Sequence, residues 1–170
     1  SNTPEEFDEI WDLIWDIEID PSNDSLDLIY AATYGAIHRS QDGGENWTKV
    51  LGSGSINDGA YFSEIEVSTE GVVYASLSSD GVDKGIWRSE NGIEWNNILP
   101  EDWPSTYDRI KMAINPHDEN EVYFIAVTPD AGQASITFSD ETEHCSLWKY
   151  TYSIEDTTSQ MGVWEDISSN

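Results

Sequence analysis

The chain repeats itself, and the repeat restricts its fold more tightly than any other feature. Residues 14–51 run IWDIEIDPSNDSLDLIYAATYGAIHRSQDGGENWTKVL, and residues 62–99 run FSEIEVSTEGVVYASLSSDGVDKGIWRSENGIEWNNIL. A third copy opens at 109 with RIKMAINPHDENEVYFIAVTP and resumes as LWKY at 147 and GVWEDI at 162. Tyr30, Tyr74 and Tyr123 fall at matching places, 44 and 49 residues apart, and Trp47 and Trp95 are 48 apart. Each copy reads as four short strands. The first is an alternating run ending at Ile19, Val67 or Ile114. Asp-Pro or Asn-Pro follows it in copies one and three, and proline ends a ladder cleanly. The second covers Leu28–Thr33, Val72–Leu77 or Glu121–Val127, rich in β-branched and aromatic residues. The third covers Ala36–Ser40, Gly85–Ser89 or Leu147–Thr151, and the fourth follows the tryptophan.

A four-stranded unit of ~40–50 residues repeated in tandem is the pattern of β-propeller blades. A two-layer sandwich predicts short strands without a matched period. The expectation is therefore an all-β propeller segment of about three four-stranded antiparallel blades. The first blade spans 14–52, the second 53–100 and the third 101–170, with an insertion at 129–146. Residues 1–13 form a lead-in whose Ser1-Asn2 reads as a cloning scar. Thr3-Pro4-Glu5-Glu6 opens a short helical turn before Trp11, or the segment is the tail of a preceding blade. The insertion reads as an extra hairpin, a lid or an interface element.

Composition narrows the partners. Seven basic residues stand against 34 acidic ones, a formal net charge of −27. No basic patch exists to neutralise phosphates, so nucleic acid is excluded as a partner. Anionic membrane surfaces are disfavoured for the same reason, and no apolar run reaches the ~18 residues of a membrane span. The single Cys145 rules out an internal disulfide framework and a multi-cysteine zinc site. His38, His117 and His144 have no pairwise metal-ligand spacing. Cys145 beside His144 is no catalytic dyad, because neighbours on a strand face opposite ways. The residues require no metal and no cofactor.

The stretch SQDGGENW at 40–47 joins strands three and four of the first copy. Short polar side chains there can hydrogen-bond a tight turn, while Gly43 and Gly44 supply positive φ. Trp47 is expected to insert between sheets. The stretch resembles the Asp-box, the Ser-x-Asp-x-Gly-x-Thr-Trp motif of BNR-repeat propellers, through Ser40, Asp42, Gly44 and Trp47, with Asn46 in place of Thr. SENGIEW in copy two is a shorter version carrying Ser89, Asn91, Gly92 and Trp95. Copy three departs from it, with Tyr150 at the serine position and a longer loop before Trp164. In that family the box marks the fold and staples a peripheral hairpin, so a structural role is expected. Asp42 as a calcium ligand lacks a second acid at ligand spacing.

Propellers of this kind bind ligands at the mouth of the central channel, lined by first strands. Aligning those strands puts Asp16, Glu64 and Lys111 in one row and Glu18, Glu66 and Ala113 in the next. Arg109 sits just before the third. These carboxylates either face a wet channel and pair with Lys111 and Arg109, or line a pocket for a sugar, cation or basic peptide. Trp11, Trp15 and Trp103 are candidate stacking surfaces for a sugar.

The BNR resemblance includes sialidases, and similar propellers form xyloglucan-degrading endoglucanases. A sialidase needs an arginine triad, yet Arg39 and Arg88 occupy equivalent third-strand positions and cannot converge with Arg109. The family's Arg-Ile-Pro signature is absent. An endoglucanase needs two opposed carboxylates, which spacing alone does not exclude here, but its Asp-Gly-Gly signature is unmatched, since QDGG belongs to the box. The reading that results is a noncatalytic recognition or scaffold module, exported to the bacterial surface or medium, binding carbohydrate or peptide. Its alternative is part of a propeller glycoside hydrolase. Three blades leave two faces uncovered, so the chain joins the remaining blades of a longer chain or associates with itself.

Overall fold

The computed structural model describes residues 12–53, 59–78, 80–136, 139, 141–158 and 160–169. Trp11 and most of the lead-in therefore lie outside the described residues. Among the described residues thirteen strands build three antiparallel sheets, with no α-helix. The first sheet is a plain meander of β1 (Ile14–Ile19), β2 (Ile29–Thr33), β3 (Ala36–Ser40) and β4 (Trp47–Gly52). The second repeats it with β5 (Phe62–Val67), β6 (Val73–Ser78), β7 (Gly85–Ser89) and β8 (Asn96–Asn97). The third sheet orders β9 (Ile110–Ile114), β10 (Glu121–Val127), β12 (Thr142–Tyr152) and β11 (Gln133–Ile136), with β13 (Gly162–Asp166) also on β12.

Local chemistry accounts for the breaks. After β1 the Asp20 carboxylate accepts from the Ser22 amide at 2.9 Å, turning the chain over Pro21. After β9 Asn115 does the same for the His117 amide at 3.0 Å across Pro116. The β2–β3 corner needs Gly35 at φ 68°, where a Cβ would also come within 2.7 Å of the Gly59 Cα. Both φ and space exclude a side chain there.

The third sheet departs from the meander through the length of β12. Its N-terminal half pairs with β11, Gln133 opposite Cys145, and its C-terminal half with β13, Tyr152 opposite Gly162. The inserted segment thus contributes a hairpin on the sheet edge. At the other extreme, β8 shrinks to two residues.

The core lies in two layers between sheets. Tyr30, Ala32 and Ile37 of sheet one pack on Ile65, Ala75 and Leu77 of sheet two. Tyr74, Ile86 and Ile98 of sheet two pack on Ile110, Phe124, Trp148 and Tyr150 of sheet three, joined by Trp103 and Tyr107 from the connecting segment. Adjacent sheets meet most closely along their first strands, β1 beside β5 and β5 beside β9. That side-by-side placement creates the functional candidate.

Candidate functional site

Registers fix which first-strand residues correspond. Asp16, Glu64 and Lys111 lie opposite Ala32, Ser76 and Ile125 on their second strands. Glu18, Glu66 and Ala113 lie opposite Tyr30, Tyr74 and Tyr123. The two rows are therefore structurally equivalent positions, carried side by side by β1, β5 and β9.

The rows differ in electrostatics. Glu64 is only 2% exposed, and its Oε1 forms an ion pair with the half-exposed Lys111 Nζ. Its Oε2 is buried with no hydrogen-bond partner among the described residues. Burial raises the Glu64 carboxyl above its ordinary value despite the opposing ammonium, and Asp16 pushes it further. Glu66 has no cation beside it in its row, because Ala113 stands at the Lys111-equivalent position. Burial first, then the charges of Glu18, Asp16 and Glu64, lift its carboxyl to about 7. Glu18 is raised by burial and then by Asp16.

Aromatic rings border the strip. Trp15 lies 5.0 Å from Phe62 and 5.6 Å from Tyr61 between centroids. The Arg109 guanidinium sits over Trp15 and Phe62 at 5.6 and 5.4 Å, a cation–π arrangement. Arg109 thus spends its charge on rings, while Lys111 takes the carboxylate. Trp103 is no stacking platform: it is buried in the second core layer, 5.2 Å from Trp148. Arg39 and Arg88 lie elsewhere, each on its own second-strand tyrosine, Tyr30 and Tyr74.

The 40–47 loop is held by its own turn bonds and by the Gly43 amide, which donates to the Asp27 carbonyl at 3.2 Å. Ser40 is fully buried; its Oγ donates to Asp42 at 2.8 Å and accepts from the Gly44 amide at 2.9 Å. Asp42 in turn accepts from the Asn46 amide and side chain, each at 2.8 Å. Those bonds, Asn46 foremost, hold its carboxyl down at about 2. In the second copy Ser89 Oγ accepts from the Gly92 amide at 2.8 Å, and Asn91 takes the Asp42 place by accepting from Ile93 and Glu94 amides.

The tryptophans are not equivalent. The Trp47 indole donates to the Gly44 carbonyl of its own turn at 2.9 Å. Trp95 and Trp164 are the ones packed on inter-sheet clusters. Sequence reasoning missed Tyr150 as a working part: its hydroxyl donates to the Gln160 and Met161 carbonyls at 2.9 and 3.0 Å, fastening the β12–β13 loop where the other sheets use serine. Its place opposite Val122, matching Ser40 opposite Ile29, was the available signal. Among the described residues no three His, Cys, Asp or Glu side chains converge as a metal would require.

No family model and no curated protein matches the chain. Among solved structures, the fold is similar to part of a GH74 enzyme from Niastella koreensis, with a TM-score of 0.57 and 17% identity. The match covers 90% of this chain and 22% of that one. The chain thus spans about a fifth of the length of that enzyme, and the likeness is one of fold.

Proposed function

We propose that the three sheets are successive BNR-type propeller blades forming a noncatalytic, exported recognition module. Its ligand site is the first-strand strip, and the ligand group it favours is the ammonium or guanidinium of a basic peptide. One observation carries this reading. Row one sets Lys111 against Glu64, whereas row two leaves Glu18 and Glu66 beside Ala113. A ligand cation there supplies what Lys111 supplies next door. Carbohydrate is the weaker ligand class, because of the two described candidate platforms Trp103 is buried and Trp15 already carries Arg109 on its ring.

Calorimetric titration with an oligolysine peptide tests it. Glu18→Gln with Glu66→Gln is expected to weaken binding about tenfold. The distant pair Glu143→Gln with Glu155→Gln removes the same formal charge and is expected to weaken it little. Equal weakening by both pairs would reduce the effect to bulk charge. Because Glu66 ionises only near 7, binding is expected to tighten from pH 6 to pH 8.

The GH74 likeness in fold supports a second reading, part of a glycoside hydrolase. Glu66, protonated in part at neutral pH beside Asp16 and Glu18, has the character of a proton donor near a carboxylate. Release of reducing sugar from a soluble β-glucan, abolished by Glu66→Gln, would favour that reading over the module.

A further inference from the structure

One corner of the array is longer than its equivalents. The chain runs from Tyr150 to Trp164 where the matching corners run only from Ser40 to Trp47 and from Ser89 to Trp95. The added loop is held in place by its own bonds. The Ser153 amide donates to the Met161 carbonyl at 3.0 Å, the Met161 amide to the Thr158 carbonyl at 3.2 Å, and the Thr158 amide to the Asp156 carboxylate at 2.8 Å. Met161 holds φ at 55°, a left-handed conformation that a residue with a Cβ keeps only where its surroundings enforce it. Such conformations gather at ligand sites.

The loop walls an open cavity of about 550 Å³, within the range of small-molecule sites. Thr158, Gln160 and Trp164 line it together with Pro100, Glu101 and Asp102. The segment leaving sheet two supplies one wall and sheet three the other, so the cavity belongs to an internal junction and not to an end face of the array. The Trp164 indole N–H is engaged by the Ile98 carbonyl, which leaves ring surface as what it offers the cavity. Glu101 and Asp102 are exposed acceptors, while the half-buried Gln160 side chain is donor and acceptor at once. Among the described residues no lysine, arginine or histidine lines the cavity. A phosphate, a sulfate or an acidic sugar would therefore meet uncompensated carboxylates.

We infer that this cavity is a second binding site, separate from the first-strand strip, and that it takes a ring of a neutral saccharide. Such a ring combines an apolar C–H face, suited to flat aromatic surface, with a rim of hydroxyls that donate to carboxylates and accept from an amide. A lysine or arginine side chain brings donors alone and leaves the Gln160 amide N–H without an acceptor. The stretch that only turns a corner in the other sheets here builds a ligand wall.

Indole N–H resonances of the full chain, labelled with nitrogen-15, test it; Trp164→Phe identifies the Trp164 signal by its loss. Maltohexaose, mannohexaose and laminarihexaose are titrated separately to about 10 mM. At least one is expected to move the Trp164 resonance saturably, with half-saturation on the order of 1 mM. Glu101→Ala with Asp102→Ala, both exposed positions, is expected to weaken that binding about tenfold while the other indole signals stay in place. The strip pair Glu18→Gln with Glu66→Gln is expected to leave it intact, so this site and the basic-peptide site stand or fall separately. A Trp164 signal that none of the three sugars moves would overturn the proposal. So would a shift untouched by the Glu101 and Asp102 substitutions, which would put the sugar elsewhere. A response to oligolysine alone would overturn it in favour of a basic peptide.

Discussion

The corner between the third and fourth strands is solved in two ways within one chain. In sheets one and two a buried serine gathers the turn amides into a compact polar corner, to which sheet two adds inter-sheet packing through Gly92 and Trp95. In sheet three Tyr150 reaches across a longer loop to two carbonyls, and its ring stands 5.0 Å from Trp164. Trp164 also donates to the Ile98 carbonyl of sheet two at 2.8 Å. The first solution is a local device made of hydrogen bonds. The second converts the corner into part of the core between sheets. Equivalent positions in a repeat therefore share geometry without sharing the energetics that maintain it.

The sharpest way to break this contrast is to remove the indoles. Trp164→Ala is expected to cost about 3–5 kcal/mol, the range for a large aromatic lost from a packed cluster. Trp47→Ala is expected to cost about 1–2 kcal/mol, since the half-buried indole belongs to neither of the two described inter-sheet clusters. Urea denaturation of the two variants measures the difference, and equal losses would erase the distinction. A smaller effect separates the two serine corners. Gly92 and Gly44 both have positive φ, but a Cβ at Gly92 would collide with the Tyr30 hydroxyl, whereas at Gly44 it would meet Trp47 at an ordinary 3.5 Å. Gly92→Ala is expected to cost about 2–3 kcal/mol and Gly44→Ala about 1 kcal/mol. Comparable denaturation midpoints for the two would remove the inter-sheet role of Gly92.

The smallest effect is a pH dependence. Asp42 has a folded-state value of about 2, below its unfolded value of 3.8. The unfolded chain therefore binds more protons between those values, and the stabilisation from Asp42 is present above them and lost as pH falls toward 2. Asp42→Asn is expected to lower the melting temperature at pH 7 and to leave it nearly unchanged near pH 2. A drop of the same size at both pH values would show that charge is not what the corner uses.

Much of the architecture was legible in the residues. The third strands β3 and β7 cover the expected Ala36–Ser40 and Gly85–Ser89, and the alternating first strands end where expected at Ile19, Val67 and Ile114. Alternation and turn chemistry are local signals, and these strands obey them. The extension of β12 back to Thr142 was less legible, because its added pairing to β11 depends on a partner strand rather than on its own pattern. The carboxylate rows were visible by alignment. Pairing of Lys111 with a carboxylate of its row was among the expectations; that Arg109 would lie over rings instead was not, since side-chain reach across neighbouring strands leaves no trace in spacing.

The Tyr30–Gly92 contact has a consequence for how such a chain can vary. A phenol on one unit fills a hollow that exists only because the following unit has no side chain at that spot. Neighbours are thereby fitted as a matched pair, so exchanging one unit for a copy from elsewhere in the array would bring either a collision or a void. The next junction is fitted differently, Tyr74 meeting the Tyr150 ring edge-on at 6.2 Å, so each junction carries its own matched pair.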